Sequence, residues 1–199
     1  MNSAVFLDRD GVINRKAIEG EYITSWEQME LLPGVAEGIA LLNRAGFCVI
    51  VVTNQRCVAK GLISEGDLQD MHRRLREVLA HDGARIDAIY YCPHDLGSRC
   101  VCRKPAPGML LEAAKSRKVE LGLSWMIGDS ESDIEAGNSA GCKTILLLET
   151  GERKVASSKS EASPDSADLV ASSLNDAIRQ ILRYPVADGS FRATEPQIK

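Results

Sequence analysis

No apolar run in this chain approaches the ~18 residues needed to span a bilayer. The first residues, Met1-Asn2-Ser3-Ala4, carry neither the charged leader nor the cleavable apolar stretch of an export signal. The expectation from both is a cytoplasmic protein with no membrane partner. Positive charge is not in excess either: 24 Lys and Arg stand against 28 Asp and Glu, for a formal net charge of −4. Such a balance exerts no global pull on nucleic acid or anionic lipid, so nucleic acid is not an expected partner and any anion site must be local. Internal repeats are missing too. In a reducing compartment the six cysteines are not expected to form disulfides, and those that cluster become candidate metal ligands.

What is present is ordinary globular material, 44% hydrophobic and 26% charged over 199 residues, enough for one domain with a substantial core. The expected domain covers residues 1–183. Within it, Glu149 to Ser173, rich in Ser, Ala, Lys and Glu, reads as a long mobile connection, and residues 184–199 as a disordered tail.

Short apolar runs recur at Ala4–Leu7, Phe47–Val52, Ala88–Tyr91, Trp125–Ile127, Thr144–Leu148 and Asp168–Val170, and each predicts a buried strand. Helical spacing fills the gaps. Val35, Ile39 and Leu42 follow Pro33-Gly34; Ser64 caps a segment whose stripe is Leu68, Met71, Leu75, Val78 and Leu79. Further helices are expected from near Pro107, through Ile134 and Ala136, and over Leu174–Leu182. Alternating strand and helix predicts an α/β, Rossmann-like fold: a parallel sheet flanked by helices, with ligands bound beyond the carboxyl ends of the strands. Four predicted strands deliver polar groups to that rim: Asp8 and Asp10, Thr53-Asn54-Gln55, Cys92, and Gly128-Asp129. Their convergence makes the rim the expected active site.

In FLDRDGVIN, Asp8 and Asp10 lie two residues apart on extended chain and can share a side. Alone, such a pair also fits a solvated turn. A calcium loop fits badly, because the glycine comes two positions too early. Asp129 and Asp133 in GDSESDIEAG complete a group of four acids that would repel itself without a cation. Mg2+, which takes oxygen ligands and leaves room for phosphate, answers that need, and Lys104 can add positive charge.

Cys92-x-His94 and Cys100-x-Cys102 supply the four soft ligands of a closed tetrahedral Zn2+ site, although the spacers are tighter than in zinc fingers. The other reading is a strand-ending Cys92, a solvated His94 and two incidental thiols. A zinc with no open position would be structural, and Arg103-Lys104 follow its last ligand without a spacer, so holding Cys102 would aim two cations. Cys48, Cys57 and Cys142 read as small buried hydrophobes, and His72 and His81 as surface residues on the polar side of their helix.

FLDRDGVIN, VVTNQ, CRKP and IGDSESD, in that order, resemble the four motifs of the haloacid-dehalogenase (HAD) superfamily, from Ala4 to about Leu148. The resemblance implies that Asp8 is a nucleophile passing through an aspartyl-phosphate and that Asp10 is a general acid and base. For that role its pKa must be raised, or proton transfer coupled to bond breaking. It implies that Thr53 and Lys104 hold the transferring oxygens, and that Mg2+ sits among the Asp8 carboxylate, the Asp10 carbonyl and Asp129, with Asp133 in support. The loop of Cys92, His94, Cys100 and Cys102 ahead of Arg103-Lys104-Pro105 resembles the zinc-binding loop of two related families, the heptose-bisphosphate 7-phosphatases and the histidinol-phosphate phosphatases. DRDGVIN, TNQ followed by VAKGLI, and GDSESDIEAGNSAG are more similar to the heptose family, although Arg56-Cys57 stands where that family usually has Ser-Gly. On this resemblance Arg103, Asn54, Gln55, Arg15 and Lys16 are candidate contacts to a small sugar phosphate. The chain has no room for a large cap domain, and a monomer is expected. A zinc-stabilised module without turnover is the other class weighed; the presence of Asp8, Asp10, Thr53, Lys104 and Asp129 counts against it.

Overall fold

The computed structural model describes residues 2–148 and 166–184. The chain runs β1 (Ala4–Leu7), α1 (Val35–Arg44), β2 (Cys48–Asn54), α2 (Arg56–Ala59), α3 (Glu65–His81), β3 (Ala88–Cys92), α4 (Gly108–Arg117), β4 (Trp125–Gly128), α5 (Glu131–Ala140), β5 (Lys143–Leu147), β6 (Leu169–Ala171) and α6 (Leu174–Arg183). The six strands form one sheet in the order β3-β2-β1-β4-β5-β6, and every pairing is parallel. Of the connection expected over Glu149–Ser173, residues 149–165 lie outside the described residues, as do residues 185–199 of the tail expected over 184–199. The last part of the expected connection is ordered: it carries β6, and Ser173 Oγ accepts from the Asp176 amide to cap α6.

Side-chain alternation splits the core in two. Val5 and Leu7 of β1, with Val49 and Val51 of β2, face the layer containing α1, α3 and α6. Ala4 and Phe6, with Ile50 and Val52, face α4 and α5. Both faces are covered, which is why these strands read as continuous apolar runs rather than alternating ones. Among the described residues, no helix is long and apolar enough to cross a membrane.

Ser64 caps α3 as its spacing predicts, its Oγ accepting from the Asp67 amide at 3.1 Å. The buried stripe differs by one member: Val78 is 39% exposed, and His72, expected at the surface, is 5% exposed beside Leu68, Met71, Leu75 and Leu79. His81 is exposed as read. Cys57 and Cys142 are buried, whereas Cys48, at the start of β2, is only partly so. The sheet reverses direction of growth between β1 and β4, and a doubly wound sheet opens a crevice at that switch point. Asp8 follows β1 and Asp129 follows β4, so the two acidic motifs flank the crevice.

Candidate active site

The crevice holds a cavity of about 370 Å³, lined by Asp8, Asp10, Thr53, Asn54, Gln55, Lys104, Asp129 and Asp133 from the strand ends and by residues 16–23 from the loop above them. Two glycines permit this approach. Gly11 has φ +94°, and a Cβ there would lie 2.2 Å from Asp129 Oδ2. A Cβ on Gly128 would lie 2.1 Å from Asp133 Cβ, so the β4–α5 turn closes tightly only without a side chain.

Lys104 is the hub. Its buried Nζ lies 2.8 Å from Asp8 Oδ1, 2.5 Å from Asp133 Oδ1 and 2.8 Å from the Val52 carbonyl. Its main chain is fixed by Asn54, which accepts from the Lys104 amide and donates to its carbonyl, both at 3.1 Å. Burial alone would lower the lysine pKa, but Asp133 and Asp8 hold it above its ordinary value. For Asp8, burial wins over Lys104, and with Asp133, Asp129 and Asp10 adding like charge its pKa is pushed up to about 7. Asp129 is likewise raised, by burial first, with Lys16 opposing from 2.8 Å.

Three carboxylates thus face two ammonium groups, and their oxygens gather within 4.8 Å. Asp129 Oδ1 is buried without a hydrogen-bond partner. An orphaned carboxylate oxygen in a site with surplus negative charge suits a hard divalent cation, so the residues fit magnesium. Asp133 reaches the site from the first turn of α5, where its Oδ2 accepts from Ser130 N at 3.2 Å and Oγ at 2.7 Å.

Asp10 lives in a different environment. Its carboxylate accepts from Arg9 Nε (3.3 Å), from Arg9 Nη2 at both oxygens (2.9 Å each), from Asn14 Nδ2 (2.9 Å) and from Gln55 Nε2 (3.0 Å). Burial by itself would raise its pKa; Arg9, Asn14 and Gln55 outweigh it and hold Asp10 below its ordinary value. The resting pKa of Asp10 is therefore lowered, not raised. Arg9, 1% exposed, escaped sequence reading because it looked like a spacer between two acids. Strand parity was the available signal, since Arg9 continues the Val5, Leu7 face beneath α3. There its Nη1 lies 3.2 Å from His72 Nε2.

Burial, then the Arg9 charge, pushes the His72 pKa down to about 3 from 6.5. A histidine kept neutral in the fold contributes stability above its unfolded pKa and loses it as pH falls, because the unfolded chain binds the proton first. Between pH 7 and pH 5 the wild type should therefore lose about 2 kcal/mol more than His72→Gln, measured by urea unfolding. Equal acid sensitivity of the two would contradict this.

The remaining predicted contacts divide. Lys16, Asn54 and Gln55 line the cavity. Arg15 does not: Asn14 turns inward to Asp10, and the next side chain turns out to Glu30, at 2.9 and 3.0 Å. Arg103 does not line it either; its Nη1 donates to the His94 carbonyl at 3.3 Å. Arg56 is ion-paired with Asp95 in the cysteine loop, and Cys57 packs its thiol 3.6 Å from Gln55 Oε1; neither residue lines the cavity.

Beside β3, Cys92 Sγ lies 3.5 Å from His94 Nδ1, 3.2 Å from Cys102 Sγ and 3.8 Å from Cys100 Sγ, and His94 Nδ1 lies 3.2 Å from Cys102 Sγ. A tetrahedron built on Zn–S bonds of ~2.3 Å has edges of about 3.8 Å, so the four atoms fit such an ion with small adjustment. Cys102 is pushed up to about 12 by burial and by Cys92 and Cys100, while a hydrogen bond from Ser98 leads in pulling Cys100 down to about 6. Three thiols this close cannot all ionise without a cation.

Residues 101–177 match the HAD-hydrolase-like family model. The chain is 43% identical over 145 residues to a D-glycero-beta-D-manno-heptose-1,7-bisphosphate 7-phosphatase of Rhodopseudomonas palustris, covering 69% of this chain and 79% of that one. It is 44% identical over 149 residues to the alpha-anomer phosphatase of Mycobacterium tuberculosis, covering 72% and 78%. Among solved structures, the D,D-heptose 1,7-bisphosphate phosphatase of B. bronchiseptica, complexed with magnesium and phosphate, superimposes with a TM-score of 0.80 at 33% identity, covering 90% of this chain and 98% of that one.

Proposed function

Because the chain belongs to the family of HAD phosphatases that includes the D-glycero-D-manno-heptose-1,7-bisphosphate 7-phosphatases, we propose that it removes the C7 phosphate of that sugar bisphosphate, on the route to nucleotide-activated heptose. The observation that carries this reading is the pair of carboxylates held apart in role: Asp8 against Lys104, Asp10 in a clamp of donors.

Asp8 attacks phosphorus, forming an aspartyl-phosphate as the ester P–O bond breaks. Lys104, held by Asp133 and the Asn54 pair, meets the charge on the transferring oxygens without having to reorganise. Thr53 Oγ1 already accepts from Gln55 Nε2 at 2.8 Å, so its own hydroxyl proton is left to donate to a phosphoryl oxygen. Asp10 is prepared for the acid role by the substrate: the entering dianion adds like charge and raises the carboxylate's affinity for a proton, which it takes from solvent and passes to the ester oxygen as the bond breaks. Asp10 then takes a proton from the water that attacks phosphorus, and Asp8 is freed. Asp8, Asp129 and the Asp10 main-chain carbonyl would hold magnesium, which supplies positive charge beside the transferring group when bound. Lys16, paired with Asp129, is the one predicted surface cation that lines the cavity and would meet the second phosphate. Cys92, His94, Cys100 and Cys102 would hold a structural zinc that fixes the approach to Lys104.

Initial rates with magnesium on both anomers of heptose 1,7-bisphosphate, fructose 1,6-bisphosphate and histidinol phosphate test the assignment. One heptose anomer should lead the others in kcat/KM by about tenfold or more. Dominant turnover of histidinol phosphate would replace the assignment with that substrate.

A further inference from the structure

We propose that His72 is a positioning residue for the reaction: its Nε2 accepts the outward N–H of Arg9 and so holds the guanidinium in the orientation that clamps both oxygens of Asp10. The inference rests on the proposed role of Asp10 as proton donor to the leaving group.

The geometry assigns each end of Arg9 a partner. Nε and Nη2 are used on Asp10, and Nη1 is the end left over, 3.2 Å from His72. Arginine has only donors, so the imidazole nitrogen facing it must be an acceptor, which makes the ring neutral with its proton on Nδ1. Arg9 and Asp10 are chain neighbours at the tip of a turn in which the Arg9 carbonyl accepts from the Ile13 and Asn14 amides, at 2.8 and 3.0 Å. That turn fixes the backbone but leaves the long arginine side chain free to rotate about its own bonds. An anchor on a separate element removes the freedom, and α3 supplies it through a residue sunk in an otherwise apolar stripe.

An apolar side chain at position 72 would complete that stripe but leave Nη1 buried without this acceptor, and such a donor turns toward any other partner within reach. The Asp10 oxygens would then follow the guanidinium. A displaced proton donor slows departure of a poor leaving group far more than of one that leaves as a stable anion. A role confined to packing would not distinguish leaving groups.

The test is a single-turnover comparison of phosphoryl transfer from the heptose bisphosphate, an alkyl ester, and from p-nitrophenyl phosphate, an aryl ester. In His72→Leu, transfer from the alkyl ester should fall by about tenfold or more with KM within about twofold, transfer from the aryl ester should stay within about twofold, and His72→Gln, which restores an acceptor, should recover most of the loss. Equal loss on both esters, or loss on neither, overturns the proposal. His72→Met, closer in length and flexible, carries the same comparison if the leucine variant does not fold. Asp10→Asn separates the two layers. If it fails to distinguish the esters, the role given to Asp10 is wrong; if it distinguishes them and the His72 variants do not, only the present inference falls.

Discussion

Asp8→Asn should lower phosphate release by about 10⁴-fold or more while leaving the protein folded, with a thermal midpoint equal to or above that of the wild type. The two halves of this result have one cause. Asp8 is a carboxylate that burial and the neighbouring Asp133, Asp129 and Asp10 push up to about 7 despite Lys104 at 2.8 Å. Its charged form is costly to the fold, so an amide of the same shape relieves repulsion, and Lys104 keeps Asp133 as its partner at 2.5 Å. The amide has no anionic oxygen to attack phosphorus. Loss of activity together with a lower midpoint would instead mark Asp8 as structural. Stopped assays with calorimetry on the same preparation read both.

Stripping the cysteine loop of metal should have the second largest effect. One zinc per chain is expected in protein purified without chelators. Its removal should lower the thermal midpoint by about 10 °C or more, since such sites bind with ~10–16 kcal/mol of apparent free energy in small domains, and a loss of even a few kcal/mol moves a domain of this size by that amount. Turnover should fall with it, because Cys102 is two residues from Lys104, whose ammonium is the hub of the site. Excess magnesium should fail to restore activity and zinc should restore it, which separates a structural zinc from the proposed magnesium. Cys102→Ala should reproduce the loss without a chelator. Elemental analysis that finds no zinc would contradict the account of this loop.

Much of this was legible because the fold uses strong signals. Runs such as Ala4–Leu7 and Trp125–Ile127 are buried on both faces, so continuous apolar character marked all six strands to within a residue or two. The acids at the strand ends were legible for the same reason: a polar residue ending an apolar run in a parallel sheet lands on the ligand rim. What was not legible depends on side-chain direction. His72 and Val78 both sit near the edge of the α3 stripe, and composition favours the valine as the buried one. The structure chooses the histidine because Arg9 comes up beneath it. Arg15 read like Lys16 as a partner for a second phosphate, and Arg103 as a substrate contact, yet Arg15 pairs with Glu30 and Arg103 with the His94 carbonyl. Four-residue α2 is too short to leave a period.

The central claim, a phosphoryl group carried on Asp8, is tested most directly by trapping it. Asp10→Asn, mixed with p-nitrophenyl phosphate and magnesium, should load without needing an acid and then unload slowly for want of a base; quenching into borohydride should convert the phosphorylated side chain to homoserine at position 8, read by peptide mass spectrometry. Modification of Asp8 in proportion to the nitrophenolate released is the result the account predicts. Release of nitrophenolate with Asp8 unmodified, or with the label on another residue, would contradict it.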